Sequence, residues 1–243
     1  MRIYLVNVGA NARHWSRARS PIFPDGTFRF VSFPDESGVA YPADMRPFTR
    51  GARAACTHLD PDWQNLTYGE CVSNGRGGAL RLAERDDVLL FWGMLCSNTG
   101  AGWETFTGER GWYLLGAMRI AWIMEAGQRL RDIPMHYRAR AGANAHVEAG
   151  WLDDGQRVFI ADRSRSALFD RAVDLGAQSK QGLMFQAFRT KAGEPLRFGA
   201  SPHWSGTLRA CRCMFDLENR EDRERAKLVH TAIRRLNEFA LMG

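Results

Sequence analysis

Side chains that could do chemistry follow the first apolar segment of this 243-residue chain. Asn7 comes directly after Ile3–Val6, and Asn11 follows one glycine-containing turn later. A strand that ends in small polar residues presents them at the rim of a sheet, where ligands commonly bind. A side-chain amide offers both donors and an acceptor, which suits recognition of the edge of a heterocyclic base. We therefore expect Asn7 and Asn11 at the rim of a pocket, although an ordinary strand and turn fit the same residues.

Carboxylates at turns are the candidates for acid–base chemistry. Asp25 lies in Pro-Asp-Gly and Asp60 precedes a proline, which favours an extended backbone that presents the side chain. A carboxylate beside a sugar can stabilise its cation-like transition state or activate a water molecule. We predict catalytic roles for Asp25 and Asp60, with Asp44 and Glu70 as further acids at the site and Asn11 as a third catalytic group. A turn-forming role is an open alternative for Asp25 and for Asp60.

Aromatic, histidine and arginine side chains complete the candidate set. Trp63 and Tyr68 could stack on a base, with packing in the core as the alternative. His146 and His203 could donate a proton to a leaving group, with a structural role as the alternative. The segment from residue 13 to residue 19 interleaves cations with an aromatic residue, a combination typical of nucleic-acid contacts. The predicted phosphate contacts are Arg13, Arg17 and Arg19.

Composition and charge indicate a soluble protein with a nucleic-acid partner. Hydrophobic residues make up 45% and charged residues 25% of the chain, as in ordinary globular proteins. The formal net charge is +6, and most of the cations are arginines, which bind phosphate in a bidentate fork. A GC-rich genome would also enrich arginine, so the charge alone is weak support. No apolar run is long enough to span a membrane and no signal peptide is recognised, so we expect a cytoplasmic protein with no membrane partner.

The cysteines predict neither disulfides nor a metal site. They are five in number and scattered, and no Cys-x-x-Cys pair is present. Cys211 and Cys213 lie in a strand-like segment, where alternation predicts two buried thiols on one face. We assign no metal ligands, neither zinc ligands of a deaminase nor the ligand set of an iron oxygenase, and we expect no cofactor.

The order of elements predicts a single domain over residues 1–243 with an α+β fold. Alternation and apolar runs predict strands at 3–6, 28–34, 88–92, 112–120 and 157–161, and two short strands within 196–215. Residues 35–52 are interpreted as a long loop, and residues 77–82 as a short helix or turn. A helix is predicted at 166–173, with Ser166 near its start and Gly176 as its stop. The strongest prediction is a C-terminal helix within 218–242, packed as a cover on the sheet through Leu228, Ala232, Ile233, Leu236 and Phe239.

Two resemblances add to this interpretation. The acidic turn at 86–87 and the strands that flank it resemble the small mixed barrels of the PUA superfamily, including EVE and ASCH domains, many of which bind modified bases. The segments VNVGANA, RSPIFPDGTFRF, THLDPDW, TYGE, LRLAERDDVLLFW and NAH together resemble the third nucleotide modification associated domain family over nearly the whole chain. Glu70 stands where an aspartate is expected, and Asp86 precedes Asp87 where a Gly-Asp turn is usual. The resemblance implies chemistry on DNA bases or defence against phage, with phage-specific bases as the substrate class.

The sequence motifs that the chain lacks then narrow the choice of reaction. The chain lacks a P-loop, the zinc-deaminase signature and a Gly-x-Gly-x-x-Gly segment, which argues against phosphoryl transfer, deamination and dinucleotide chemistry. Hydrolysis of an N-glycosidic bond needs none of these. We expect a DNA glycosylase that flips out and excises a modified base, such as hydroxymethylated or glucosylated cytosine. The alternatives are a non-catalytic reader of modified bases and an enzyme that synthesises modified nucleotides.

Overall fold

The computed structural model describes residues 1–10, 14–51, 55–148, 150–176, 179–189, 194 and 211–242. The strands are β1 (Arg2–Asn7), β2 (Ser20–Ile22), β3 (Pro34–Ala40), β4 (Cys56–Thr57), β5 (Thr67–Cys71), β6 (Val88–Asn98), β7 (Phe106–Glu125), β8 (Val147–Glu148), β9 (Trp151–Leu152), β10 (Gln156–Ala161), β11 (Ala167–Asp174) and β12 (Arg212–Asp216). The α-helices are α1 (Met135–Gly142), α2 (Leu183–Ala187) and α3 (Arg220–Arg234). Short 3₁₀ helices span Arg46–Phe48, Gly78–Leu82, Trp103–Thr105, Leu130–Asp132 and Arg163–Arg165.

An eight-stranded mixed sheet forms the centre of the fold and curls into a half-barrel. Its main path runs β12-β1-β6-β7-β10-β5, with β2 added beside β6 and β11 beside β7. β1 and β2 pair in parallel with β6, whereas β7 pairs antiparallel with β6, β10 and β11. The 20-residue β7 therefore meets different partners along its length. The predicted α+β fold with a barrel-like mixed sheet is confirmed.

Apolar side chains on β1, β6 and β7 fill the main core. β6 is buried along nearly its whole length, as expected for a central strand covered on both faces. The predicted strands at 3–6, 88–92, 112–120 and 157–161 and the short helix at 77–82 are confirmed, with longer bounds for several. Among the residues described, no helix is long and apolar enough to cross a membrane.

The predicted strand at 28–34 is wrong, and the loop predicted at 35–52 is wrong in its first part, which belongs to β3. Phe28 and Phe30 are buried, but the backbone around them pairs irregularly: the Val31 N–H donates to the Ser20 hydroxyl at 3.0 Å. The regular strand begins only at Pro34 and pairs antiparallel with β4. The alternation of aromatic residues thus reflects anchoring in the core, beside β2 but with only an isolated bridge to it in place of continuous strand pairing.

The predicted helix at 166–173 is also wrong, because this segment is the strand β11. Ser166 caps no helix; its hydroxyl accepts a hydrogen bond from the Arg119 amide at 2.9 Å. Gly176 lies two residues after the end of the strand at Asp174, with a φ of +56° that favours glycine. Pairing with β7 outweighed the local helix signals. Of the two strands predicted within 196–215, only the part from residue 211 onward is described, and it forms the start of β12.

The C-terminal helix is confirmed in kind but differs in its buried face. α3 begins after Asn219, whose side chain accepts from the Asp222 amide at 3.1 Å, a typical N-cap. Its buried residues are Ala226, Val229 and Ile233. Leu228 and Leu236 of the predicted face are exposed.

β12 corrects one further prediction. Cys211 is buried but Cys213 is exposed, so the two thiols do not share one buried face; Cys211 lies just before β12, outside the regular alternation of the strand. All five cysteines are free thiols.

The acidic turn before β6 has a backbone reason. Asp86 has a φ of +70°, a conformation that glycine adopts without strain. Asp87 is buried and accepts hydrogen bonds from the backbone amides of Arg2 and Glu84. Asp86 therefore has the backbone conformation of the glycine that is expected at its position. Asp87 connects the turn to β1 through the amide of Arg2.

Candidate functional site

A cleft of about 280 Å³ lies at the ends of β1 and β5. The lining side chains come from separate parts of the chain and include three histidines, two carboxylates and an arginine. The residues that line it are Asn7, Val8, Gly9, His14, Phe33, His58, Asp60, Tyr68, Gly69, Glu70, Arg76 and His146. Five of the residues predicted for the site meet in this cleft.

Two imidazoles and one carboxylate converge on one side of this cleft. His58 Nε2 and His146 Nε2 are 3.0 Å apart, and His146 Nε2 lies 3.5 Å from Asp60 Oδ2. His58 follows β4, Asp60 lies in the loop between β4 and β5, and His146 directly precedes β8. Asp60 is only 6% exposed, so its charge is compensated by neighbouring donors and not by bulk water.

The backbone of β5 and the side chain of Asn144 hold this group in place. The Gly69 amide donates to both oxygens of Asp60, at 2.9 and 3.1 Å. Asn144 Nδ2 donates to Asp60 Oδ1 at 3.2 Å and to Thr67 Oγ1 at 3.1 Å. Asn144 Oδ1 accepts from the His146 amide at 3.0 Å. Any side chain at Gly69 would overlap the His146 ring, so a glycine is required there for the close approach.

Burial and charge act differently on the two imidazoles. Burial lowers the pKa of His58 below its ordinary value, and the nearby Asp60 opposes this only in part. Burial also disfavours the charged form of His146, but its hydrogen bond to Asp60 and the charge of that carboxylate outweigh the effect, so the pKa of His146 is raised. The pair therefore combines one imidazole that favours the neutral form with one that is readily protonated.

A second polar group in the cleft is centred on Glu70. Its Oε2 accepts from the Tyr68 hydroxyl at 2.7 Å and from Arg76 Nε at 3.1 Å. Arg76 also donates to the Asn7 carbonyl at 3.1 Å, and Asn7 Nδ2 donates to the Trp92 carbonyl at 3.3 Å. Burial alone would lower the pKa of Arg76, but the neighbouring Tyr68 and Glu70 raise it, so the guanidinium is charged.

Stacked rings form a wall of the cleft. The ring of Phe33 stacks on His58 with centroids 5.2 Å apart and on His14 with centroids 5.6 Å apart. The ring of Tyr68 packs between Phe91 and Phe159, so Tyr68 presents its hydroxyl edge and not a free ring face. A planar ligand in the cleft would thus contact the aromatic wall and the hydroxyl of Tyr68.

Several predicted site residues lie elsewhere in the fold. Asp25 is exposed, and its carboxylate accepts from the amide and hydroxyl of Thr27 at 2.9 and 2.7 Å. Asp44 is exposed in a turn, and Trp63 packs against Phe30 and Phe91. None of the three lines the cleft. The carboxylate of Asp25 forms an Asx turn away from the other groups, and its catalytic role stays a prediction that the proposal below does not use.

The two described arginines of the basic segment differ in their surroundings. Arg19 Nε donates to the Trp15 carbonyl at 2.9 Å, and the guanidinium lies over the Trp103 ring at 4.4 Å. Arg17 is partly exposed. Their predicted phosphate contacts stay predictions. The remaining predictions, for Asn11, Arg13 and His203, lie outside the described residues.

The cleft contains five residues that the sequence analysis predicted for the site, namely Asn7, Asp60, Tyr68, Glu70 and His146. Two other polar residues of the cleft, Arg76 and His58, were not predicted. Arg76, in the turn after β5, carries no local signal. His58 did carry one, because His58-Leu59-Asp60 has the His-x-Asp spacing found in sets of metal ligands. Together with His146, these side chains place three potential ligand atoms within 4.8 Å of one another.

Comparison with known proteins gives a match at the level of a family. The family model described as "Nucleotide modification associated domain 3" matches residues 2–225. No curated protein matches significantly, and neither does any solved structure. The likeness to PUA-type barrels accordingly stays a prediction.

Proposed function

The chain belongs to the nucleotide modification associated domain 3 family, and from this premise we propose that it is a DNA glycosylase. The proposed substrate is a modified base in phage DNA, such as hydroxymethylated or glucosylated cytosine. The observation that carries the proposal is the buried carboxylate of Asp60 beside His146, which in turn contacts His58, in the same cleft as a charged arginine. A protein that only binds a base has no need of such a group.

The size of the cleft fits one extruded base. Its volume of about 280 Å³ is close to the lower end, roughly 300 Å³, of pockets that bind small molecules. Flipping a nucleotide out of the duplex costs a few kcal/mol, which contacts in the pocket must offset. The rings of Phe33 and His14 and the amide of Asn7 are the groups we expect to contact the base.

Hydrolysis requires a water molecule on the anomeric carbon of the sugar. Asp60 and the two imidazoles would orient this water and accept its proton. The water oxygen then bonds to the anomeric carbon while the carbon–nitrogen bond breaks, and the base leaves with the electron pair. The proton finally passes to the base, so that one water is consumed for each free base and abasic site.

The departing base needs compensation for its developing negative charge. Arg76 is charged and is held by Glu70 and by the Asn7 carbonyl. We assign it to the leaving base, because a fixed cation in a partly buried site stabilises such charge strongly. In this scheme Glu70 positions Arg76 and does not react itself.

Base release from defined DNA tests the proposal. The purified chain is incubated with phage DNA that contains glucosylated hydroxymethylcytosine and, separately, with unmodified DNA. Mass spectrometry detects the released base, and an aldehyde-reactive probe detects abasic sites. We expect both products from the modified DNA only. Asp60→Asn should slow the release by about 10²–10⁴-fold, whereas Asp170→Asn, an exposed aspartate on β11, should not.

The outcomes separate the proposal from its alternatives. Tight binding of the modified DNA by the wild-type chain with no base released would favour a non-catalytic reader. Conversion of free nucleotides in place of DNA would favour an enzyme of modified-nucleotide synthesis. Full activity of a folded Asp60→Asn variant would remove this cleft from the reaction.

A further inference from the structure

We propose that His58, Asp60 and His146 bind one divalent transition-metal ion, with His58 Nε2, His146 Nε2 and an oxygen of Asp60 as ligands. These are the three side chains whose potential ligand atoms lie within 4.8 Å of one another. Two imidazoles and one carboxylate on a single face form a ligand set that leaves further coordination positions open. The binding site itself stands on this geometry, independently of the proposed reaction.

Two of the three distances among the ligand atoms match those around a shared ion, and the third is within 4.8 Å. Two nitrogens bound at about 2.1 Å and about 90° apart lie about 3.0 Å from each other, and the two Nε2 atoms are 3.0 Å apart. Widening that angle to about 110° gives about 3.4 Å, and the His146 Nε2 to Asp60 Oδ2 distance is 3.5 Å. An ion can therefore occupy the centre of the group with small movements of the side chains.

The outer nitrogen of His146 faces an acceptor within hydrogen-bond distance, and the outer nitrogen of His58 faces a more distant carboxylate. His146 Nδ1 lies 3.3 Å from Gln156 Oε1, and His58 Nδ1 lies 3.9 Å from Asp35 Oδ2. A proton on Nδ1 leaves the Nε2 lone pair for the metal, and such outer partners fix the orientation of the ring. Asp60 has outer partners of the same kind in Gly69 and Asn144.

A metal ion at this site would also help to activate the water of the proposed reaction. This role of the ion rests on the proposed function. Water bound at an open position loses its proton more readily than free water and is then a strong nucleophile at neutral pH. The site lies in the cleft that Arg76 and Asn7 also line. Activated water and the groups assigned to the leaving base would thus meet in one pocket.

Metal content and affinity of the full chain, without DNA, test the site. The protein is purified without affinity resins that carry metal, and its metals are measured by mass spectrometry. The chelator-treated chain is then titrated with Zn²⁺ and with Co²⁺, whose visible absorption reports nitrogen and oxygen ligands. We expect one ion for each chain and a rise in the unfolding temperature on its addition.

Variants of one ligand and of one matched histidine locate the ion. Loss of an outer partner of a ligand weakens metal binding by about 10–100-fold. His58→Gln removes a ligand itself and should weaken binding by more than this. His136→Ala removes an exposed histidine on α1 and should leave the affinity unchanged. Since His58→Gln retains a polar side chain, and its thermal unfolding is measured in chelator, a loss of binding can be distinguished from a loss of folding.

Each result decides one of the two proposals. Absence of saturable binding to the wild-type chain, or equal affinity in folded His58→Gln, would overturn the metal site. Base release at full rate by the chelator-treated chain would overturn the role of the ion in the reaction. One bound ion without any base release would support the site and contradict the glycosylase. Oxygen consumption with modified DNA would have the same meaning, because a ligand set of this kind also serves iron oxygenases.

Discussion

At the scale of single residues, Asn144 links Asp60 to His146. Its amide contacts Asp60 and Thr67 on one side and the backbone of His146 on the other. Asn144 is buried, so its loss leaves buried polar groups unpaired. We expect Asn144→Ala to lower the free energy of unfolding by about 1–3 kcal/mol and also to slow base release, measured by denaturant titration and by mass spectrometry.

Asn65 provides the matched control for this effect. Asn65 Nδ2 donates to Asp62 Oδ2 at 2.7 Å, an asparagine–aspartate pair that does not line the cleft. Asn65→Ala should reduce stability in the same way but leave the rate of base release by the folded protein unchanged. Equal loss of activity in the two variants would mean that Asn144 acts through stability alone.

At the scale of elements, the turn before β6 stores backbone strain in a non-glycine residue. Asp86 has a φ of +70°, and its carboxylate, 65% exposed, lies 3.4 Å from Arg119 and 3.7 Å from Arg165. Asp86→Gly and Asp86→Ala both remove these surface contacts. The difference between the stabilities of the two variants therefore reports only the cost of the backbone conformation. The glycine variant should be more stable than the alanine variant by about 1 kcal/mol. Equal unfolding midpoints would show that the turn relaxes at no cost.

The same scale explains which elements could be predicted. β1 and β6 are continuous apolar runs, and burial on both faces of a sheet requires that pattern whatever the neighbours are. β11 failed because a serine followed by alanine and leucine also fits the start of a helix, and only pairing with β7 decides the outcome. Local patterns predict burial well, but the identity of the pairing partner is a property of the whole sheet.

At the scale of the whole molecule, the candidate site depends on contacts between distant segments. His58 and His146 are separated by 88 positions in the sequence, and their meeting depends on the loop before β5 and on the segment before β8. Asp60 and His146 could be predicted as single residues with chemical potential. Their convergence with Arg76 could not, because no spacing in the sequence encodes it. The His58-Leu59-Asp60 triplet was the one local sign of the group.

The charge of the whole molecule leads to a prediction about DNA binding. With a net charge of +6, binding should weaken as salt rises, because each neutralised phosphate releases counterions. If Arg17 contacts a phosphate, Arg17→Gln should reduce the slope of log affinity against log salt by about 0.9 on duplex DNA. Arg131→Gln removes the same charge from a side chain that is 73% exposed and should leave the slope unchanged. Arg19→Gln should act differently, because its guanidinium packs over Trp103 and its loss lowers stability first. Identical slopes for wild type and Arg17→Gln, measured by fluorescence anisotropy, would move the DNA path away from this segment.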